Sequence, residues 1–263
     1  MMNTYWRFGI KSFSTHLAYR SEVWMSTLGN FVTILIQTTI WKAVLHSSSV
    51  NGITFQTMVT YSILSTLISG ILLSGVTGKV SESLRSGSIA SELVKPLSYP
   101  LYLFANEMGR ASYQFVFVLV PTFIVAFFYF GIKPPASAAH LAAFAAALVL
   151  SLLISFLLGY MISLIAFWFL TVFALEWTLG AMLTIFSGQF LPIWFFPSGW
   201  AEIAKGLPFQ YVGYIPAALY MGYIPKVQVG TTLLLGVVWV LILFLFVSWL
   251  WWKAIKRLVV QGG

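Results

Sequence analysis

The sequence predicts an all-α integral membrane protein whose 263 residues form a single transmembrane domain, 1–263. The first reason is composition, because 60% of the residues are hydrophobic and only 8% are charged, whereas soluble domains carry about 25% charged residues. The second reason is that long apolar runs recur along the chain. A bilayer crossing needs about 20 apolar residues, so there is room for about six transmembrane helices and for no separate soluble domain.

Six apolar runs predict the transmembrane helices, at residues 24–45, 56–77, 111–131, 140–166, 170–192 and 229–252. No Gly or Pro separates the fourth run from the fifth, but a single helix across both would be far longer than a bilayer is thick. We therefore expect a turn near residues 169–176. Glu176 lies there, and we interpret it as a turn residue at the cytoplasmic interface rather than as a proton relay.

Residues 1–22 precede the first run and predict an amphipathic helix. Apolar side chains recur there at helical spacing, with polar residues one step round the helix: Trp6, Ile10, Phe13 and Leu17 beside Arg7, Lys11 and Ser14. Trp and cations are typical of the headgroup layer, which favours a helix lying flat at the membrane interface. An amphipathic helix that packs on the protein itself is the alternative.

Positive charges predict that both termini are cytoplasmic, an N-in and C-in orientation in the cytoplasmic membrane, because Lys and Arg concentrate on the inner side of membrane proteins. With that topology the inner cations are Arg7, Lys11, Arg20, Lys79, Arg85, Lys95, Arg110, Lys253, Lys256 and Arg257. The outer cations are Lys42, Lys133, Lys205 and Lys226. Residues 78–100 then form a cytoplasmic loop between the second and third spans.

Residues 193–224, between the fifth and sixth spans, predict a cap on the outer face. The segment is too rich in Pro and Gly for one straight span. Its aromatic residues, which include Trp194, Phe195, Phe196, Trp200 and Phe209, are too apolar for open solvent. We expect this cap to be re-entrant or interfacial.

Several function classes are excluded by what the sequence lacks. It has no Cys and its three His residues are isolated, so we expect neither a disulfide nor a metal site. The segment GVTGKVS around Lys79 resembles a phosphate-binding loop only superficially, because Leu73 replaces its first Gly and Val80 replaces its Mg²⁺ ligand. We therefore expect no enzyme activity and no cofactor in this chain. The net charge of +8 fits membrane orientation rather than nucleic-acid binding.

Two polar sets lie within the predicted spans. Asn30, Thr33 and Gln37 share a face of the first span, which should look toward protein or a watery path because uncompensated amides are costly in lipid. In the second span, small side chains recur at every fourth residue and would let another backbone approach closely: Ser62, Thr66, Gly70, Ser74 and Gly78. We name Asn30, Thr33, Gln37, Gly70 and Ser74 as candidate pathway or interface residues. Interhelical hydrogen bonds and static packing within one chain are the alternatives.

The cytoplasmic loop contains RSGSIASELVKPLSYP, residues 85–100, which predicts a short helix with defined ends. Gly87 interrupts the chain, Ser88 can cap a new helix, and Pro96 stops it. Two apolar side chains would project from one side of this helix, beside three charges: Ile89 and Leu93, with Arg85, Glu92 and Lys95. We interpret the helix as a docking site for a soluble partner. A helix that lies on its own membrane surface is the alternative.

This stretch resembles the signature R-x-G-x-hydrophobic-x-x-x-L-x-x-P, which follows the second span of type-2 ATP-binding-cassette (ABC) permeases. The match is carried by Arg85, Gly87, Ile89, Leu93, Lys95, Pro96, Leu97 and Pro100. Residues 187–222, SGQFLPIWFFPSGWAEIAKGLPFQYVGYIPAALYMG, resemble a second motif of the same family. That match is carried by Ser187, Gly188, Pro192, Pro197, Leu207, Pro208, Phe209, Tyr211, Pro216 and Gly222. Ser88 departs from the pattern, because an acidic residue is common there.

The resemblance implies a permease subunit of an ABC exporter, most similar to the subgroup whose genes encode two small permeases and one separate ATPase. It implies two ATPase subunits that bind ATP and Mg²⁺, a second permease chain that is the same or different, and surrounding membrane lipid. It also implies that the helix after the second span is the coupling helix, which receives the ATPase, and that export proceeds by alternating access. A stand-alone channel or secondary carrier, or a non-transporting assembly factor, would be the alternative function.

Overall fold

The computed structural model describes residues 2–18, 20–45, 53–72, 76–169 and 172–257. These residues are helical nearly throughout, and no β-strand occurs among them. The all-α class that the composition predicts is therefore confirmed for this part of the chain.

The described residues of the amino-terminal half form seven helices and one π-helical segment. The first helices are α1 (Met2–His16), α2 (Arg20–Val44), α3 (Phe55–Leu72), α4 (Val76–Arg85) and α5 (Ser88–Leu93). α6 (Tyr99–Gln114) then runs through the π-helical segment Phe115–Leu119 into α7 (Val120–Phe130). These last three segments form one continuous helix of 32 residues.

The carboxyl-terminal half contains two long helices that flank a set of short ones. The long helices are α8 (Ala138–Ile165) and α12 (Lys226–Lys256). The short helices between them are α9 (Phe173–Phe186), α10 (Ser198–Gly206) and α11 (Tyr214–Tyr220). Two 3₁₀ turns, Ile193–Phe195 and Pro208–Val212, connect these short helices.

Within the described residues, four helices are long and apolar enough to cross a membrane: Glu22–Val44, Tyr99–Phe130, Ala138–Ile165 and Lys226–Lys256. They correspond to the first, third, fourth and sixth predicted spans. α3 corresponds to the second and has 18 residues, or about 27 Å at 1.5 Å per residue. α9 corresponds to the fifth and has 14 residues, so its length of about 21 Å is less than the bilayer core of about 30 Å.

Two boundaries of the predicted spans are wrong. The third span begins at Tyr99 rather than at residue 111, because polar residues such as Asn106 and Glu107 conceal the first turns of this helix from an apolar pattern. The fifth span was predicted to continue to residue 192, but α9 ends at Phe186 and the chain turns directly after it. The expected turn between the fourth and fifth spans is confirmed, although it lies a few residues earlier than predicted.

α3 lies at the centre of the bundle. Its residues 57–68 are all buried, and the side chains of Met58 and Ile63 have no exposed surface at 0% each. α3 packs against α2, α7, α8 and α11. α11 is equally buried, because Ala217, Ala218 and Leu219 are also 0% exposed. The core of the domain therefore consists of two short helices surrounded by longer ones.

Side-chain and backbone hydrogen bonds join three loops at one end of the bundle. The Gln56 side-chain amide at the start of α3 donates to the carbonyl oxygen of Gly131 after α7 (2.5 Å). The backbone N–H of Ala136 before α8 donates to the carbonyl oxygen of Tyr220 at the end of α11 (3.1 Å). These are the loops that the charge pattern predicts to be outside.

The segments predicted to be cytoplasmic meet at the opposite end. The backbone N–H of Ser98 donates to the Tyr5 hydroxyl of α1 (2.8 Å). The ring of Tyr99 at the start of α6 stacks on that of Trp251 near the end of α12, with centroids 5.6 Å apart. α1 and the carboxyl end of α12 thus lie at the same end of the bundle as α5.

α1 packs along the first half of α6. The Ser12 hydroxyl donates to the carbonyl oxygen of Asn106 (2.8 Å), and the rings of Phe8 and Tyr102 meet edge to face. On the opposite side of α1, Trp6 remains 70% exposed. One face of the helix predicted within residues 1–22 therefore packs on protein, which agrees with the alternative interpretation. A second apolar face of this helix is not covered by other described parts of the chain.

Candidate coupling site and transport cleft

The segment predicted as a coupling helix folds as a helical hairpin made of α4 and α5. Gly87 lies between the two helices with a φ of 72°, a left-handed conformation that favours glycine. The Ser83 hydroxyl of α4 joins them, because it donates to Glu92 Oε2 (3.2 Å) and lies 3.2 Å from the Ser88 hydroxyl. The predicted cap is wrong, since Ser88 is the first helical residue and its side chain makes no capping hydrogen bond.

The apolar side of α5 faces the protein interior, which corrects the predicted docking face. Ile89 is only 4% exposed and belongs to the main core. Leu93 is half-buried and packs against the same core. The carboxylate of Glu92 also points inward, toward Ser83. A short helix on a bundle buries its apolar side against the nearest apolar surface, which here is its own protein.

The exposed face of the hairpin consists of Arg85, Ser91, Val94, Lys95 and Pro96. Val94, directly after α5, is 85% exposed, an unusual degree for a large aliphatic side chain. Two cationic residues accompany it on this surface. Sequence analysis missed Val94 because one valine at a helix end forms no periodic pattern. The large apolar side chain that the hairpin surface exposes is therefore Val94, whereas Ile89 and Leu93 pack against the core.

A small apolar cluster joins the α4 arm of the hairpin to the membrane helices. Leu84 of α4 packs against Ile162 and Ala166 at the end of α8 and against Val172 before α9. Leu175 and Leu179 of α9 pack against the same residues. We refer to these six residues as the Leu84 cluster. The Leu84 cluster thus places α4 in contact with the end of α8 and the start of α9.

A polar cleft with a volume of 500 Å³ separates the hairpin from α1 and α6. Its lining includes Lys11, His16, Lys79 and Glu82. Burial lowers the pKa of the His16 imidazole below its ordinary value, so this ring is neutral at pH 7. The side of the hairpin that faces α1 is thus not closely packed. The hairpin contacts the rest of the bundle mainly through its α4 arm.

A larger cleft, with a volume of 680 Å³, runs along α9, and we refer to it as the α9 cleft. α9 and the turn after it contribute Glu176, Trp177 and Gln189. The facing wall includes Ser69 of α3 and Ser155 and Gly159 of α8. Pockets of about 300–1,000 Å³ accommodate drug-sized ligands. Sequence analysis missed this site because its walls come from helices distant in sequence, and it assigned Glu176 to a turn although Glu176 lies in the first turn of α9.

The candidate pathway residues lie elsewhere, between α2 and α3. Asn30 Nδ2 is 3.5 Å from the position that a β-carbon on Gly70 would occupy, so these two predicted residues are neighbours. Thr33 is exposed and donates to the carbonyl oxygen of its own helix at Gly29 (2.9 Å). Gln37 is half-buried. These four described candidates are absent from the lining of the α9 cleft, and Ser74 lies outside the described residues.

The outer-face motif begins with a turn that is fixed to α3 and α11. Gly188 has a φ of 75°, and its carbonyl oxygen accepts a hydrogen bond from the hydroxyl of Tyr61, a residue that is 1% exposed (2.5 Å). The carbonyl oxygen of Ser187 accepts from the backbone N–H of Tyr214 (2.7 Å). A β-carbon on Gly188 would come within 2.8 Å of Tyr214 Cβ. Both the conformation and the space therefore require glycine here.

The remaining motif residues shape the segment 193–224. Three prolines precede or begin its short helical elements: Pro192, Pro197 and Pro208. The ring of Phe209 stacks on that of Phe186 at the end of α9. Tyr211 is 1% exposed, and its hydroxyl donates to the carbonyl oxygen of Thr232 in α12 (2.8 Å). The segment is therefore folded against the bundle, as expected for a cap and unlike a solvated loop.

Aromatic rings attach the same segment to α2 and α3. Trp194 stacks on Tyr223 (4.6 Å between centroids) and meets Tyr61 edge to face (5.1 Å). Phe195 stacks on Trp41 of α2 (5.4 Å). This end of the bundle, which the charge pattern predicts to be outside, is consequently held together by rings as well as by hydrogen bonds.

The structure is an apolar helical bundle in which both sequence motifs lie on folded elements. A comparison of sequences agrees with this arrangement. The profile of ABC-2 family transporter proteins matches residues 22–262. The chain belongs to the ABC-2 transporter family. An ABC-2 permease is an integral membrane component of a transporter, is not itself catalytic, and normally works with an ABC ATPase. No curated protein matches the chain significantly.

Replacement of the outer-motif glycine in this ABC-2 permease tests the turn at residue 188. We expect Gly188→Ala to lower stability by about 2–4 kcal/mol, because it combines left-handed strain with a steric overlap. The measurement is thermal unfolding of the purified protein in detergent. Gly180→Ala is the matched control and should leave the melting temperature unchanged or slightly higher, since a β-carbon there meets no atom within 4 Å. Equal melting temperatures for wild type and Gly188→Ala would contradict the assignment.

Proposed function

We propose that this ABC-2 permease exports a substrate across the cytoplasmic membrane by alternating access, in a complex with two ATPase subunits and a second permease chain, the same or different. The observation that carries the proposal is the α4–α5 hairpin. Its outer face presents Val94 at 85% exposure, and its inner side is joined to α8 and α9 through the Leu84 cluster. Force applied to this hairpin therefore reaches the helices that line the α9 cleft.

The outer face of the hairpin has the chemistry of a docking surface. Val94 provides an apolar anchor, and Arg85 and Lys95 add positive charge to the same exposed surface. The complementary surface on the ATPase is an apolar socket with acidic groups at its rim. Burial of one valine side chain contributes about 1.5–3 kcal/mol, while the charges favour encounter and orientation more than affinity.

ATP and Mg²⁺ belong to the ATPase in this proposal. The segment around Lys79 is part of the continuous helix α4, Val76–Arg85. In a phosphate-binding loop the residue after the Lys is a Ser or Thr whose hydroxyl binds Mg²⁺. Here that residue is Val80, which is 0% exposed and packs in the apolar core. This supports the assignment of nucleotide hydrolysis to a partner subunit.

The Leu84 cluster supplies a route from docking to transport. Closure of the two ATPase subunits on ATP would displace the hairpins, and each Leu84 would carry that displacement to the start of α9 and the end of α8. Packed apolar interfaces shift between discrete arrangements rather than deform continuously. Repacking of the Leu84 cluster would therefore open the α9 cleft to one side of the membrane and then to the other.

The distribution of cations and aromatic rings supports an N-in, C-in orientation. α1, the hairpin and the end of α12 lie together at one end of the bundle. Lys253 and Lys256 of α12 lie over the rings of Trp249 and Trp252, at 4.2 Å and 3.3 Å from the ring centroids. Lys paired with Trp is typical of the membrane interface, and the excess of cations assigns this end to the cytoplasm. The exposed face of α1 would then lie in the inner headgroup layer.

α9 supports association with a second permease chain. None of its residues is buried, and Phe173 and Met182, which do not line the α9 cleft, are 67% and 43% exposed. A helix of about 21 Å cannot span the bilayer alone. Contact with a second chain would cover this face, and membrane lipid would cover the outward faces of α2 and α12.

Substitution of the exposed valine tests ATPase docking. Val94→Asp removes the apolar anchor and places an unpaired carboxylate in the socket, so we expect at least about tenfold weaker ATPase binding. ATP-dependent transport should be lost, whereas membrane insertion should be normal because the side chain is exposed. The measurement is titration of the co-purifying ATPase onto the permease in lipid nanodiscs.

Val227→Asp is the matched control for this experiment. Val227 is 91% exposed at the start of α12, at the opposite end of the bundle, and its replacement should leave ATPase affinity unchanged. Wild-type affinity in Val94→Asp would contradict the docking proposal. Flux through the permease alone, without any ATPase, would instead support a stand-alone channel or carrier.

Cysteine labelling tests the orientation, and the absence of native Cys makes it specific. We expect a membrane-impermeant maleimide to label Pro134→Cys, in the loop before α8, on intact cells. Ser91→Cys, on the exposed face of α5, should be labelled only after permeabilisation. The reverse pattern would refute the N-in, C-in orientation.

A further inference from the structure

We propose that the α9 cleft binds a hydrophobic amine, meaning an extended apolar molecule with one protonated amino group, and that Glu176 is the residue that recognises the amino group. This inference rests on the proposed export function and adds a substrate class to it. It depends on the charge, the wall chemistry and the length of the cleft.

The charge of the cleft is that of a single carboxylate. Among its lining residues, all within the described part of the chain, Glu176 alone is charged. Glu176 is half-buried. The ion pair found among the described residues is that of Glu107 with Arg110 on α6, so Glu176 has no ion-pair partner within this part of the chain. A carboxylate in a cleft with low-dielectric walls attracts a cationic ligand and repels an anionic one.

The walls of the cleft are otherwise suited to an apolar body. Trp177, Leu183, Ile185 and Val212 provide aromatic and aliphatic surface. The hydroxyl of Ser69 already donates to the carbonyl oxygen of Ser65 (2.5 Å), so it does not seek a ligand. One charge and long apolar walls match a ligand with one charged end.

The length and position of the cleft match an extended ligand at the level of the inner leaflet. The cleft follows α9 from Glu176 in its first turn to the end of the helix, a distance of about 15 Å at 1.5 Å per residue, and continues to Gln189 in the turn beyond it. Glu176 lies at the end that the proposed orientation places near the cytoplasm. An amine would therefore place its charge at the inner interface and its apolar body along the membrane-embedded part of α9.

The cleft also lies next to the joint that the hairpin moves. Leu179 both lines the cleft and belongs to the Leu84 cluster. Leu175, one residue before Glu176, packs against the same cluster. Repacking of the Leu84 cluster would therefore shift Glu176 relative to α8, which changes the binding site when the ATPase acts.

Binding of dodecylamine tests the proposal, with dodecanol and dodecanoate as the neutral and anionic probes of equal chain length. The measurement is isothermal titration of each probe into the permease in phosphatidylcholine nanodiscs, after subtraction of empty nanodiscs. We expect dodecylamine to bind more tightly than dodecanol, and dodecanoate to bind most weakly. Glu176→Gln should weaken dodecylamine binding about tenfold or more while dodecanol binding stays unchanged.

Two further variants complete the experiment. Glu202→Gln removes an exposed carboxylate on α10 and should bind all three probes like wild type. Gly180→Phe should weaken binding of dodecylamine and dodecanol alike, because Gly180 lines the cleft and a side chain there has open space to fill. The proposal would be overturned if Glu176→Gln bound dodecylamine as tightly as the wild-type protein does. It would also be overturned if the wild-type protein bound dodecanoate more tightly than dodecylamine.

The binding measurement needs no ATPase, so it separates this inference from the proposed function. Normal dodecylamine binding without any ATP-dependent transport would leave the site in place and refute the export function. ATP-dependent transport of a substrate that is unaffected by Glu176→Gln would leave the export function in place and refute the assignment of the substrate class.

Discussion

The rest of the structure depends on one constraint, which is that a polar group inside a membrane protein must find its partner within the protein, because hydrocarbon offers none. Many hydroxyls meet it locally: Thr60 donates to the carbonyl oxygen of Gln56 (3.0 Å) and Ser163 to that of Gly159 (2.8 Å). This is why α3 can be rich in Ser and Thr and still form the centre of the core. Ser62 and Thr66 are buried without such a partner among the described residues. Both belong to the small-residue ridge of α3, which indicates that the packing there requires small size more than hydrogen bonding.

The same constraint explains how non-helical backbone can lie against the bundle at residues 187–224. The carbonyl oxygens exposed at each turn receive donors from neighbouring helices, as Gly188 does from Tyr61 of α3 and Tyr211 does from Ser151 of α8. The backbone of a cap can enter an apolar environment only with such partners. Its helical fragments are short because prolines interrupt them, and its rings fill the space between fragments. The outer end of the permease is thus fixed by directional bonds.

The sequence alone was sufficient for the features that depend on long apolar runs. α2, α8 and α12 lie within a few residues of their predicted bounds, and the short helix before Pro96 lies where its flanking Gly and Pro residues predicted it. Features that depend on tertiary contact were not predictable in this way. The spacing of Ile89 and Leu93 identifies an apolar face of the helix, but it does not indicate which surface that face packs against. In the folded protein it packs against the core of the same chain. The position of Glu176 in the α9 cleft was missed for the same reason, because a cleft between α3, α8 and α9 exists only once the chain has folded.

In the proposed orientation, the outer loops and the α4–α5 hairpin are attached to the bundle by different kinds of contact, and this difference supports the hairpin as the place where motion enters. At the outer end, Lys133 donates to Thr57 (2.8 Å), and His140 Nε2 lies 3.2 Å from the carbonyl oxygen of Ile224, in addition to the Tyr61 bond. Hydrogen bonds depend on distance and angle, so displacement breaks them. At the inner end, the hairpin meets α8 and α9 through the Leu84 cluster, whose aliphatic contacts have no preferred direction. Side chains of this kind can change from one packed arrangement to another while the area that they bury stays nearly constant. In the proposed mechanism, a push on the hairpin would therefore rearrange the inner end around a fixed outer end, and the α9 cleft between those ends would change its shape.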